Sequence, residues 1–128
     1  MTFLVLDAGG LTRLAERNQD ALAMIGAFRR ERLWPPVVPS IVLVESLSGR
    51  QRTDANVNRF LKAVDIREAV SVQVARRAAE LRSRSRRGSA VDALVVAVAE
   101  PGGAVLTGDL DDLRALASHA RDVTILRG

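Results

Sequence analysis

The residues of this sequence best suited to chemistry are acidic side chains set into apolar runs. Asp7 ends "FLVLD", Glu45 sits inside "IVLVESL", Asp92 interrupts "SAVDALVVAVA", and Asp109, Asp111 and Asp112 crowd "VLTGDLDDLRAL". An isolated carboxylate is costly to bury unless it is paired or bound to a cation. Each position also has a purely local reading. Asp7 can cap the turn after a strand, and Glu45 can lie on the polar face of a helix. Ser89 and Asp92 match the S-x-x-D capping box. Asp109 can cap the last helix, with Asp111 and Asp112 favourable in its first turn. Taken together, Asp7, Glu45, Asp92 and Asp109 form a set that cannot be fully ionised at close range without a cation. Oxygen-only ligands favour Mg²⁺ or Mn²⁺, and the usual work of such ions is phosphoryl chemistry.

The elements that must position these acids alternate along the chain. "TFLVLD" reads as a buried strand, and residues 11–33 read as two helices broken near Asn18–Asp20. Pro35, Pro36 and Pro39 force "WPPVVP" into an extended segment. Ser40 is then expected to cap a helix over "IVLVESLSG" that Gly49 closes. Helices follow over "DANVNRFLKAV" and "SVQVARRAAELRSRS", with a brief extended "DIRE" between them. "SAVDALVVAVAE" is an apolar helix ended by Pro101 and Gly102; "AVLT" is a strand, "DLDDLRALASHA" a helix and "DVTILR" a final strand. Such alternation predicts a mainly parallel sheet with helices on both faces, as one domain over residues 1–128. Ligands of these sheets bind beyond the carboxyl ends of the strands, where Asp7 and Asp109 fall.

Composition narrows the chemistry further. The 128 residues are 48% hydrophobic, enough for a packed core, and contain no cysteine. Thiolate metal sites, disulfides and a cysteine nucleophile are therefore excluded. No apolar run approaches the ~20 residues of a membrane span, and the N-terminus lacks the features of a signal peptide, so a cytoplasmic protein is expected. His119 falls near the C-terminal end of its helix, where the helix dipole accounts for it. Of the 19 basic residues only Lys62 is lysine, and the net charge is +4. Arginine suits a polyanionic partner, although a G+C-rich genome would also favour its codons.

With these residues in view, the sequence resembles the PIN-domain ribonucleases, and within them the VapC toxins of bacterial toxin–antitoxin pairs. The resemblance rests on "LVLDAGGL", "VPSIVLVESLSG", "SAVDALVVAVA" and "AVLTGDLDDLRAL", which agree in order and spacing along essentially the whole chain. It implies an α/β/α sandwich around a mainly parallel sheet. It also implies that Asp7, Glu45, Asp92 and Asp109 are catalytic and metal-binding, with Thr107 of T-x-D supporting the site. Asp112 would be an additional acidic ligand position, followed by Leu113 where relatives often carry Phe. Asp111 has no counterpart. The activity implied is Mg²⁺- or Mn²⁺-dependent endoribonuclease cleavage of structured RNA such as tRNA or rRNA. The implied partners are a small VapB-like antitoxin and a second copy of the chain.

A basic stretch, "VARRAAELRSRSRRG", precedes Asp92, and Arg84, Arg86 and Arg87 are its best candidates for contacting RNA phosphates beside the acids. The low aromatic content argues against reading of stacked bases. Two rival functions are a non-catalytic RNA- or partner-binding module of the same fold, and a haloacid-dehalogenase-like phosphatase. The phosphatase needs D-x-D, but Gly9 stands at the second position, and Leu113 occupies the place of its later acid.

Overall fold

The computed structural model describes residues 1–128, and its organising element is strand β1 (Phe3–Leu6). Leu4, Val5 and Leu6 are wholly buried, as a strand covered on both faces must be. The other strands are β2 (Val37–Pro39), β3 (Asp65–Arg67), β4 (Gly103–Thr107) and β5 (Thr124–Arg127). All pairings are parallel, in the order β3-β2-β1-β4-β5. The first three strands extend the sheet one way from β1, and the last two extend it the other way. The direction of winding thus reverses between β1 and β4, which opens a crevice at their carboxyl ends. Their register pairs Leu6 with Leu106, so Asp7 and Thr107 emerge side by side.

Seven α-helices cover the sheet: α1 (Ala8–Ala15), α2 (Gln19–Arg30), α3 (Leu43–Ser46), α4 (Gln51–Leu61), α5 (Val72–Ser85), α6 (Ala90–Ala99) and α7 (Leu110–Ala117). Helix α1 packs on β1 and β4 and gathers α2, α3 and α4 around it. Helix α6 covers the same two strands from the other face, flanked by α5 and α7. The result is the expected α/β/α sandwich, around one cluster of 25 buried apolar residues. No helix is long and apolar enough to cross a membrane.

Two helix boundaries expected from the sequence are set by side-chain caps. Asn18 caps α2 by accepting from the Ala21 amide at 2.9 Å, which explains the helix break there. Ser71 caps α5 in the same way through the Val74 amide. The sheet is mainly parallel as expected, in fact wholly so, and "DIRE", read as a brief extended segment, adds a fifth strand by pairing with β2 through Val37–Asp65, Val38–Ile66 and Pro39–Arg67. Two expectations need correction. Ser40 is not a helix cap: its hydroxyl donates to the Glu68 carbonyl at 3.2 Å, tying the end of β2 to the chain after β3. The expected helix over "IVLVESLSG" shrinks to a 3-10 turn at Ser40–Val42 and the single turn α3. Leu47 is already extended (φ −110°, ψ 145°), so the helix ends at Ser46, three residues before Gly49.

The cause of that early stop is Asp54. Its carboxylate accepts from the Ser48 amide, the Ser48 hydroxyl and the Gly49 amide, each at 2.9 Å. These bonds replace the helical partners that residues 48 and 49 would have had, and they let α4 begin at Gln51 instead of at Asp54. The same amides, the Ser48 N–H foremost, hold the Asp54 carboxyl below the usual carboxylate range.

Candidate functional site

Asp7 stands where β1 ends and α1 begins. Its Oδ1 accepts from the Gly10 amide at 2.8 Å, capping α1, and its Oδ2 accepts from the Thr107 hydroxyl. Thr107 is fully buried at the end of β4 and accepts in turn from the Asp109 amide at 2.8 Å. One hydroxyl therefore fixes the first acid to the turn that carries the last. Two glycines make this closeness possible. A Cβ on Gly10 would lie 2.2 Å from the Leu106 carbonyl oxygen, and one on Gly9 would lie 2.8 Å from the Gly108 amide nitrogen. Any side chain at either position would push the two loops apart.

Asp7 is 7% exposed, and burial pushes its carboxyl above the usual carboxylate range. The Thr107 hydroxyl and the Gly10 amide pull it back, while the nearby Asp92 charge pushes it further up. The ionised form of this carboxyl is thus disfavoured, chiefly by burial.

Asp92 enters from α6. The capping box is complete: the Asp92 amide donates to Ser89 Oγ and the Ser89 amide donates to Asp92 Oδ2, both at 3.0 Å. This local role engages one carboxylate oxygen, and Asp92 lines the cleft with the other acids. Asp109 occupies the cap position of α7, yet its side chain makes no capping hydrogen bond. Asp112 lies one turn into α7 and accepts from Arg87 Nε at 3.0 Å. One carboxylate oxygen from each of Asp92, Asp109 and Asp112 lies within 4.8 Å of the others. Asp7 and Glu45 line the same cleft, of about 300 Å³, but are not among the three that converge. Glu45 is exposed on the short helix α3. Asp111 points to solvent.

The basic stretch divides. Arg84 pairs with Glu80 at 3.2 Å along α5, and Arg86 is exposed in the left-handed conformation (φ 55°) that ends that helix. Only Arg87 reaches the acidic cleft. Arg77 is structural: Nε and a terminal nitrogen grip Glu100 at 2.7 and 2.8 Å, and Glu100 also accepts from the Arg121 amide at 2.7 Å. Arg77 above all, with the Arg121 amide assisting, holds the Glu100 carboxyl below its usual range. Leu113, the position a dehalogenase-like phosphatase would need acidic, is wholly buried.

Two important side chains were not singled out from sequence. Asp54 shapes the loop after Glu45, and its signal was available: it shares the buried face of α4 with Val57 and Phe60 at i+3 and i+6. The Glu100–Arg77 clamp had no comparable signature, since it joins residues 23 positions apart.

Comparison with known proteins agrees with this architecture. The family model described as PIN domain matches residues 4–118. Among solved structures the chain is similar to FitAcB from Neisseria gonorrhoeae, with a TM-score of 0.62 and 17% identity. That alignment covers 94% of this chain and 96% of the other, and at such identity it shows a shared fold. No curated protein matches the sequence. With the match spanning all but the two ends, and with a sheet order and carboxyl-end crevice that suit it, the chain belongs to the PIN domain family.

Proposed function

We propose that the chain is a divalent-metal-dependent endoribonuclease of the VapC toxin type, which hydrolyses phosphodiester bonds in structured RNA such as tRNA or rRNA. The observation that carries this reading is the convergence of Asp92, Asp109 and Asp112 at the β1–β4 crevice, with Asp7 fixed beside them. The donor set fits a hard cation: every candidate ligand is a carboxylate oxygen, with no imidazole or thiolate in the cleft. Mg²⁺ or Mn²⁺ is the expected ion, held by Asp92, Asp109 and Asp112 together with Asp7 and Glu45. When bound, it would lower the pKa of an attacking water and offset charge on the scissile phosphate.

The chain's own residues supply the rest. Thr107 orients Asp7 and the Asp109 turn; Ser89 orients Asp92. Arg87 sits at the rim with its guanidinium toward the cleft, and Arg84 and Arg86 precede it on the same basic segment, suited to an approaching phosphate backbone. In-line attack by water would leave 5′-phosphate and 3′-hydroxyl ends, and no nucleophilic side chain is required. A small VapB-like antitoxin covering the cleft and a homodimer complete the proposal, on the strength of the sequence resemblance.

Purified protein is expected to cut structured RNA with Mg²⁺ or Mn²⁺, to stop on addition of EDTA, and to lose activity in a folded Asp92→Ala variant. Cleavage that survives EDTA would overturn the metal chemistry. Folded protein that binds RNA and never cuts it would point to the non-catalytic binding module.

A further inference from the structure

The ion pair between Arg87 and Asp112 has a geometry that a merely solvated surface pair would not need. It spans 25 residues and brings a cation to one of the three converging carboxylates. The loop that delivers it is tightly built. The Ser85 hydroxyl donates to the Arg87 carbonyl at 2.9 Å and accepts from the Arg87 amide at 3.2 Å, closing a ring around one oxygen. On the other side, Gly88 adopts φ +85°, and a Cβ there would lie 2.6 Å from Leu116 Cδ1 on α7. Ser89 then opens the capping box that holds Asp92. The Arg87 backbone is therefore held between α5 and α7, while its side chain, 56% exposed, is tethered only by its bond to Asp112.

We propose that Arg87 is a built-in counter-cation of the acidic cleft, occupying Asp112 in the metal-free protein and giving way when a divalent ion engages Asp92, Asp109 and Asp112. This inference rests on the reading of that cluster as a divalent-metal site. Only Nε bonds the carboxylate, so the contact is single and partly solvated, the kind of ion pair that is readily exchanged. A divalent ion and a guanidinium on the same carboxylate repel each other at short range. Binding of one must weaken binding of the other, and the effect is reciprocal. Arg87 thus sets how much metal the site requires.

The test uses the full chain without RNA. Mn²⁺ affinity is read from the EPR signal of free Mn²⁺ for the wild type, Arg87→Gln and Arg84→Gln. Arg84 carries the same charge on α5 but pairs with Glu80, so it controls for net charge. Arg87→Gln is expected to tighten Mn²⁺ binding about three- to tenfold, with Arg84→Gln close to wild type. In parallel, the Arg87 side-chain Nε–Hε resonance, assigned by its loss in Arg87→Gln, should shift as Mg²⁺ saturates the site. Equal tightening in both variants, unchanged or weaker binding in Arg87→Gln, or an unmoved resonance at saturation would overturn the counter-cation role while leaving the metal reading intact. Failure of wild type and Arg87→Gln alike to bind Mn²⁺ at millimolar concentration would overturn both.

Discussion

Thr107 donates its hydroxyl hydrogen to the carboxylate of Asp7, 100 residues earlier in the chain, at a point where both side chains are buried. The same oxygen accepts from the Asp109 amide, so the contact joins the ends of the two central strands and sets the first and last acids of the cleft. Removing the hydroxyl takes a partner from the buried Asp7 carboxylate and from the part-buried Asp109 amide at once. Thr107→Val, close in shape, is expected to cost about 1–3 kcal/mol, read from urea denaturation. RNA cleavage should fall by roughly 10- to 100-fold. Thr107→Ser keeps the hydroxyl and should recover most of the activity; a Ser variant as impaired as Val would refute the hydrogen-bonding role.

Asp7 carries a stability cost that follows from its pKa. Burial raises the folded-state pKa above the unfolded value, so its favourable contribution is complete below the unfolded pKa and is lost as pH rises through the folded one. At neutral pH the ionised group opposes folding in metal-free protein. In metal-free protein, wild-type Tm should fall as pH rises through the folded-state pKa of Asp7, and Asp7→Asn, which lacks the titrating group, should lose that dependence while abolishing cleavage. A decline with pH that persists unchanged in Asp7→Asn would contradict the burial argument.

Glu100 has the opposite sign. Its folded-state pKa is depressed, chiefly by Arg77, so the clamp stabilises the fold above the unfolded carboxyl pKa and fades as pH falls through the folded one. Glu100→Gln is expected to cost about 2 kcal/mol at pH 7. The gap from wild type should close in strongly acidic solution. Denaturant titrations at neutral and acidic pH would show it, and a gap independent of pH would exclude the ion pair as its source.

Gly10 tests the close approach of α1 to β4. Gly10→Ala drives a methyl group against the Leu106 carbonyl and should destabilise by about 2–3 kcal/mol. The α1–β4 separation must widen, shifting Asp7 at the start of α1, so Mg²⁺ should stabilise this variant less than the wild type in thermal melts.

Much of the architecture was legible because its signals are local. Continuous apolar runs mark β1 and β4, and the Ser89–Asp92 pair announces the start of α6 along with the acid that α6 delivers. What escaped depended on contacts between distant segments. Asp54 rewrote the loop after Glu45 by offering three hydrogen bonds that compete with helix continuation. "DIRE" becomes a strand only because β2 lies beside it. Arg84, Arg86 and Arg87 look equivalent as residue types, and only the left-handed turn at Arg86 decides which of them faces the acids.

The central pairing of β1 with β4 has a consequence for synthesis. Phe3–Leu6 are made 100 positions ahead of their partners in β4, Gly103–Leu106. Asp92, Asp109 and Asp112 also arrive late. A translation product that stops before β4 holds Asp7, Glu45 and Asp92 without the strand and turn that bring Asp109 and Asp112 beside them. The cleft is complete only once β4 and the first turn of α7 have been made.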